Sequence, residues 1–484
     1  MEDFEGDGVF WMPDNVDMRV AGRLTYDSAN GANLSLIGAL SNHDQMFSGN
    51  TVPARTIHGF ADGRELTLIG CFVTNTRWQM PGLNTEKFRV GQILSGAYFE
   101  EATDLAFDGV SIELDQLTHW VGKTGITMQM RSAGAQSIDG MTVEYNQIPE
   151  ELALWNEGEI KIGYGWGASG DNFVTTTISH RAFLTLNYND RQPLSKILMD
   201  LNSIQDLVTL AVHAPAAPTN IELYRDDLVL GQEGGSFRKP ISLGTENAAQ
   251  LVREDRPQSW PNMYFLLRDI GGVSTIGRWI EMARRYRPVL GALLSLRYSA
   301  RLYQENRYLN VMSAAESFHR LRFSNEVEPK SVAKARNKKI GKVIKATMGA
   351  ETSRWVSGQL AFSNEPRLRR RLEELADFVG APLGNLVGDV AAWCQVVTAT
   401  RNRMTHEEEG IVDVTIPGDV YWLAESVYFL VMLCLFRECG VPDEVLVKSC
   451  ETQSYIILKM SIDDAVLRCG KSFVKGWRGA ADTP

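Results

Sequence analysis

The sequence predicts an α+β multidomain chain, with an antiparallel β-rich N-terminal half followed by an all-α helical bundle. Three observations carry this. At 484 residues the chain exceeds what a single hydrophobic core usually serves. Its first 190 residues read as short β-rich runs separated by turn residues, and from about Ser274 onward the apolar spacing is helical.

The β-rich runs include Val20–Tyr26, Leu34–Leu40, Thr56–Phe60 and Leu66–Val73. Between them lie Asn30-Gly31, Ser48-Gly49-Asn50 and Asp62-Gly63, whose glycines supply positive φ. The pattern continues through Ile112–Leu114, Ile160–Tyr164 and Phe183–Leu186. Strands at this spacing, with no long helical pattern between them, favour an antiparallel sandwich or barrel. Leu194–Val212 is expected to be a helix that stops at the Pro-rich segment 214–218. A short β segment, Ile221–Leu230, and a Gly-rich turn, 231–235, follow. Pro288–Phe323 can form one long or two consecutive helices, Val332–Lys345 a basic helix, and Glu365–Val379 an amphipathic one. Leu386 to about Met404 comes next, then Val420–Glu438, closed by Gly440-Val441-Pro442. The expected domains are a β-rich domain (1–213), a mixed connector (214–287) and a helical domain (288–484).

Composition narrows the class. The opening Met1–Asp7 is acidic, where a secretory signal needs a basic start and an apolar run. The longest apolar run, Val427–Phe436, is about half a membrane span, which favours a buried core helix. The six cysteines show no CxxC pair and no zinc-ligand spacing, as expected of buried thiols in a reducing compartment. A cytoplasmic protein without membrane, metal or cofactor is therefore expected. Gly163-Tyr164-Gly165-Trp166-Gly167 lacks the Lys-Ser/Thr and the helix of a phosphate loop, and no GxSxG or HExxH motif occurs. The tryptophans of the β half (Trp11, Trp78, Trp120, Trp155, Trp166) are expected mainly in the core.

The net charge of −10 conceals a division. Residues 1–195 hold 25 acids against 12 bases, whereas residues 330–371 hold 12 bases against Glu351 and Glu365. Such asymmetry fits a nucleic-acid contact confined to one domain, with Lys334, Arg336, Lys338, Lys339 and Lys342 as candidate RNA contacts.

One segment carries chemistry: Arg401-Asn402-Arg403-Met404-Thr405-His406. A bare Arg-x4-His arises by chance about half a time in a chain of this composition, so the spacing alone carries little and helix geometry must add to it. Val390, Trp393, Cys394 and Val397 fall within roughly 100° on a helix, and Arg401 and Met404 extend that stripe. Arg401 thus points inward, where a guanidinium needs an acceptor. His406 would lie about 140° from Arg401 on a continuing helix. The two converge only if the helix ends near Thr405 or if two copies face each other. RNA cleavage suits these residue types. A base takes the 2′-OH proton, that oxygen attacks phosphorus, an acid protonates the leaving 5′-oxygen, and a cation stabilises the phosphorane. His406 can act as base or acid near neutral pH. Arg401 can grip two phosphate oxygens, Asn402 can donate to phosphate, and Arg403 can face either RNA or solvent. Glu407-Glu408-Glu409 can tune His406 or form a solvated loop.

Arg401-Asn402-x3-His406 at a helix end, with helices before and after, resembles the HEPN ribonuclease motif. Gly8-Val9-Phe10-Trp11, Val20-Ala21-Gly22-Arg23-Leu24, Leu34-Ser35-Leu36 and Ile57-His58-Gly59 are similar to the N-terminal domain of ApeA-type anti-phage proteins, which join such a domain to a C-terminal HEPN domain. The resemblance covers most of the chain. It implies an HEPN-like bundle that dimerises into a composite site, a β-rich sensor or regulatory domain, and a phage-derived trigger. It also implies damage to RNA, structured RNA such as transfer RNA among the candidates, which leaves 2′,3′-cyclic phosphate ends and halts growth on infection. HEPN domains often carry a further polar residue on an earlier helix. The candidate here is Glu316, aligned with Leu309 and Met312 and placed to hold Arg401, with His319 one turn on as a packed or surface residue. Two other readings stand beside this one: a non-catalytic HEPN-type dimerisation or RNA-binding module, and a ligand-binding β sandwich with a helical oligomerisation domain.

Overall fold

The computed structural model describes residues 1–40, 55–77, 79, 81–100, 104–134, 137–171, 173–231, 237–253, 256–299, 301–405 and 417–473. By its internal packing the chain divides into two compact units, one of residues 1–281 with 297–300, the other of 282–296 with 301–484.

The first unit is built on β1 (Phe4–Met12), β2 (Asn15–Asp27), β3 (Gly31–Ile37), β4 (Arg55–Ala61), β5 (Arg64–Arg77), β6 (Thr85–Val90), β7 (Gln92–Ser95) and β8 (Ala106–Leu114). A short helix, α1 (Leu117–Val121), precedes β9 (Ile126–Gly134), β10 (Ser137–Tyr145), β11 (Glu151–Trp155), β12 (Gly158–Gly170) and β13 (Thr176–Pro193). After α2 (Leu194–Val212) come β14 (Pro218–Tyr224), β15 (Val229–Leu230), β16 (Phe237–Arg238) and β17 (Ile241–Thr245). Thirteen strands form one sheet in the order β11-β12-β13-β8-β14-β17-β7-β5-β4-β1-β2-β3-β6. A further β5–β6 pairing bends its last six strands into a closed ring, the barrel alternative of the sequence expectation. Alternate residues fill the ring: Phe10, Leu24, Leu34, Ile57 and Leu68 are all fully buried. The β9–β10 and β15–β16 ribbons stand apart from this sheet.

Turn chemistry sets the register where the sequence said it would. Asp62 and Gly63 both take positive φ (51° and 72°), which lets Ala61 pair with Arg64 in a two-residue hairpin. The Gly163–Gly167 run is strand. Gly163 faces Phe183 across β12–β13, and a Cβ there would meet the Phe183 ring at 2.4 Å. Helix α2 matches its expected bounds and ends in left-handed His213 (φ 61°) before the prolines. β14 and β17, from the segment expected as a connector, are interior strands of the main sheet. Trp11 and Trp120 are buried and Trp155 half-buried, whereas Trp166 is exposed and stacks on Tyr145 at 5.4 Å. Trp78 and residues 48–50 lie outside the described residues.

Helices α3 (Val273–Arg285) and α4 (Arg287–Tyr298) follow. The second unit then contains α5 (Gln304–Arg322), α6 (Lys330–Gln359), α7 (Leu368–Val379), α8 (Ala381–Val387), α9 (Val390–Thr405), α10 (Pro417–Glu438), α11 (Asp443–Lys448) and α12 (Gln453–Phe473). Its core is α10, on which every side chain from Val427 to Phe436 is buried; α5 and α12 pack against it. This is the core-helix reading of that apolar run, although by length and composition alone the helix could cross a membrane. Pro288–Phe323 resolves into two helices, the second of its two expected alternatives. Two elements differ from expectation. Gly388, at φ 64°, separates α8 from α9 where one helix was expected. The basic helix runs on to Gln359 by bending at Gly349 (φ 87°), and the Ser353 hydroxyl donates back to the Gly341 carbonyl at 2.9 Å. A side chain rarely tolerates that φ, so glycine permits the bend.

Candidate active site on the helical unit

The site begins with the spacing of α5. Leu309, Met312, Ser313, Glu316 and Arg320 recur at intervals of three and four, so they share one face of the helix. The residues behind them (Tyr308, Val311, Ala315, Phe318) are buried in the bundle. Helix α9 anchors by Trp393, Cys394, Val396 and Val397, all fully buried. Two polar bonds hold it in place. The Tyr308 hydroxyl donates to the Val397 carbonyl at 2.7 Å, and Trp393 Nε1 donates to Ser426 Oγ at 3.0 Å. A helix carbonyl has two lone pairs, so it can accept such a donor beside its intrahelical bond.

One turn beyond Val397, Arg401 faces the polar stripe of α5. Its Nη2 lies 3.9 Å from Glu316 Oε1, and its Nη1 donates weakly to Thr405 Oγ1 at 3.4 Å. Arg320 Nη2 stands 3.6 Å from the other carboxylate oxygen, Glu316 Oε2. A cavity of about 230 Å³ opens there, lined by Leu309, Met312, Ser313, Glu316, Ser317 and Arg320 of α5 and by Arg401 of α9. Arg401 is 33% exposed, so it is reachable and not sealed in the core. The pairing of Arg401 with Glu316 is the arrangement expected from the sequence. Arg320, Ser313 and Ser317 were not singled out there, although Arg320 follows Glu316 by the same four-residue step that aligns Met312 with Glu316.

The other residues of the segment diverge. Asn402 is exposed. Arg403 is half-buried on another side of α9. Burial pushes the Cys469 thiol of α12 up to about 12, against the opposing charges of Arg468 and Arg403. His406, Glu407, Glu408 and Glu409 lie outside the described residues. Among the described residues no group of His, Cys, Asp and Glu is placed to hold a metal ion.

Behind the stripe sits a buried polar cluster. His319 is fully buried. Arg371 Nη1 donates to its Nδ1 at 2.9 Å, which leaves Nε2–H to donate to Glu374 at 2.6 Å. Arg371 also donates to the Pro366 carbonyl and to Asn325. Burial pushes the His319 pKa down, although the Glu374 hydrogen bond opposes this. A neutral ring wedged between Arg371 and Glu374 ties α5 to α7, so His319 is a packed histidine.

On α6, Lys334, Lys338, Lys339, Lys342 and Lys345 fall within an arc of about 140° at 100° per residue. All five are exposed, and no carboxylate among the described residues pairs with them. Arg336 lies beyond that arc and is engaged by Glu328.

A closed β ring with an extended antiparallel sheet, and a helical unit with an Arg–Glu pair on facing helices, define a two-part protein whose candidate site lies on its helical part. Comparison with known families gives that class its identity: residues 5–279 match the ApeA N-terminal domain 1 and residues 309–445 the Apea-like HEPN domain. The chain belongs to the ApeA family, and this pair of domains fits a role in anti-phage defence. HEPN domains are generally nucleases that act on RNA. No curated protein and no solved structure matches the chain.

Proposed function

We propose that this chain is an abortive-infection effector, a metal-independent endoribonuclease held in check by its N-terminal domain until a phage component triggers it. His406 takes the 2′-OH proton, and the freed oxygen attacks the adjacent phosphorus. The 5′-oxygen leaves with a proton from the His406 of a second copy, and the product carries a 2′,3′-cyclic phosphate. Arg401 grips the non-bridging oxygens as negative charge builds on them, and Asn402 adds a hydrogen bond. Glu316 orients Arg401. The unpaired lysines of α6 contact the RNA backbone, and the reaction takes place in the cytoplasm.

The observation that carries this reading is the placement of Arg401 in an open cavity against Glu316. An arginine serving only to pack two helices would be closed off. The test is to incubate wild type and His406→Ala with total RNA, with and without extract of phage-infected cells, in excess chelator. New ends bearing cyclic phosphate from wild type alone are expected. Equal cleavage by both proteins would remove His406 from the mechanism. RNA binding without cleavage under both conditions would favour the non-catalytic module.

A further inference from the structure

We propose that Arg320 is the second cation of a two-arginine clamp that, with Arg401, holds one phosphodiester of the RNA in the α5–α9 cavity. This rests on the nuclease reading above and extends it to a residue outside the Arg-x4-His segment.

Among the described residues, three that line the cavity are charged: Glu316, Arg320 and Arg401. Arg401 and Glu316 alone cancel, and a neutral pair has no net attraction for a phosphodiester. Arg320 brings the set to +1, which one phosphodiester neutralises. Both guanidiniums also have donors to spare. Their contacts to Glu316, at 3.6 and 3.9 Å, exceed the 2.7–2.9 Å of a charge-assisted hydrogen bond. The contrast within the same protein is Arg23, which binds Asp7 through two nitrogens at 2.7 and 2.8 Å.

Geometry assigns Glu316 its part. Each of its oxygens faces a different arginine, so the carboxylate sits where a phosphate bridging the two would present its own pair of oxygens. Arg320 is 53% exposed and can swing to meet a ligand at the mouth. The Ser313 and Ser317 hydroxyls border the same space and can donate to the remaining oxygens.

The test uses full-length protein and a short single-stranded RNA whose 2′-O-methyl groups prevent cleavage. Its affinity is measured by fluorescence anisotropy across a salt series for wild type, Arg320→Gln, Arg320→Lys, Arg401→Gln and Glu316→Gln. Each lost phosphate contact on a single strand lowers the slope of log K against log salt by about 0.7. Arg320→Gln and Arg401→Gln should each show that loss, Arg320→Lys should recover part of the affinity, and Glu316→Gln should bind more tightly than wild type. Wild-type affinity and slope in Arg320→Gln, with both reduced in Arg401→Gln, would overturn the clamp and leave the nuclease reading intact. If the wild type binds no RNA either alone or with extract of phage-infected cells, the clamp falls together with that reading. Because the Arg320 head is half in solvent, loss of folding does not confound the comparison.

Discussion

Asp115 costs the first unit stability at neutral pH that its protonation in acid restores. It lies just past β8, where its Oδ1 accepts a hydrogen bond from the Ala217 N–H at 2.9 Å. Its Oδ2 is buried with no partner. Burial pushes its pKa from 3.8 up to about 6, despite the Ala217 hydrogen bond and the charge of Arg253. Between those two values the folded chain binds more protons than the unfolded chain, so stability falls as pH rises through the window. Above about pH 6 the full cost applies. At about 1.36 kcal/mol per pH unit it is about 3 kcal/mol, an upper bound because water reaches part of the group. Asp115→Asn keeps the shape and resembles the protonated acid. At pH 7.5 it should gain up to about 3 kcal/mol, or about 5 °C in the melting of the β-rich unit. Near pH 4 the gap should close. Calorimetric unfolding of both proteins from pH 4 to pH 8 measures this. A gap that does not narrow on acidification, or a variant less stable at pH 7.5, would refute the assignment of the cost to an ionised, half-satisfied carboxylate.

Two other outcomes are expected. Tyr308→Phe removes the donor to the Val397 carbonyl and should cost about 1 kcal/mol in the urea unfolding of the helical unit. A change below the error of that measurement would mean that the Tyr308 bond has no part in holding α9. Replacing Lys334, Lys338 and Lys342 together with Ala should lower the salt slope of single-stranded RNA binding by about 2. Since these side chains are exposed and unpaired, thermal stability should stay within about 0.5 kcal/mol of wild type per site; an unchanged slope would remove this face from RNA binding.

What the sequence disclosed follows the range of the forces involved. Strands bounded by Asp62-Gly63, and a helix bounded by Pro193 and the 214–218 prolines, are decided within a few residues, and their bounds were legible. The pairing of β14 with β8, about 110 residues earlier in the chain, depends on tertiary partners that no local pattern names, so its segment read as a connector. The Gly388 break and the Gly349 bend hide in helical periodicity, because an isolated glycine in such a pattern is compatible with an unbroken helix. At the site, Glu316 was found because Leu309 and Met312 set the phase of its face. Arg320 was missed although the same phase reaches it, because an arginine on a helix is usually solvated. His319 shows the converse: its partners Arg371 and Glu374 lie on α7, and only the fold brings them to it.

Closure of the ring has a consequence for how the first unit meets other chains. An open sheet has two margins, but here one of them, β6, turns back onto β5. Among the described strands the thirteen-stranded sheet therefore has a single terminus, β11. Any foreign strand that extends this sheet must add there, beside the exposed Leu152 and Leu154. Glu151 opens that strand and Glu150 and Glu157 flank it, and charge at an edge discourages indiscriminate pairing. The molecule has thus reduced a long polymerisable object to one guarded doorway, and deleting β11 would shift the opening to β12 without closing it.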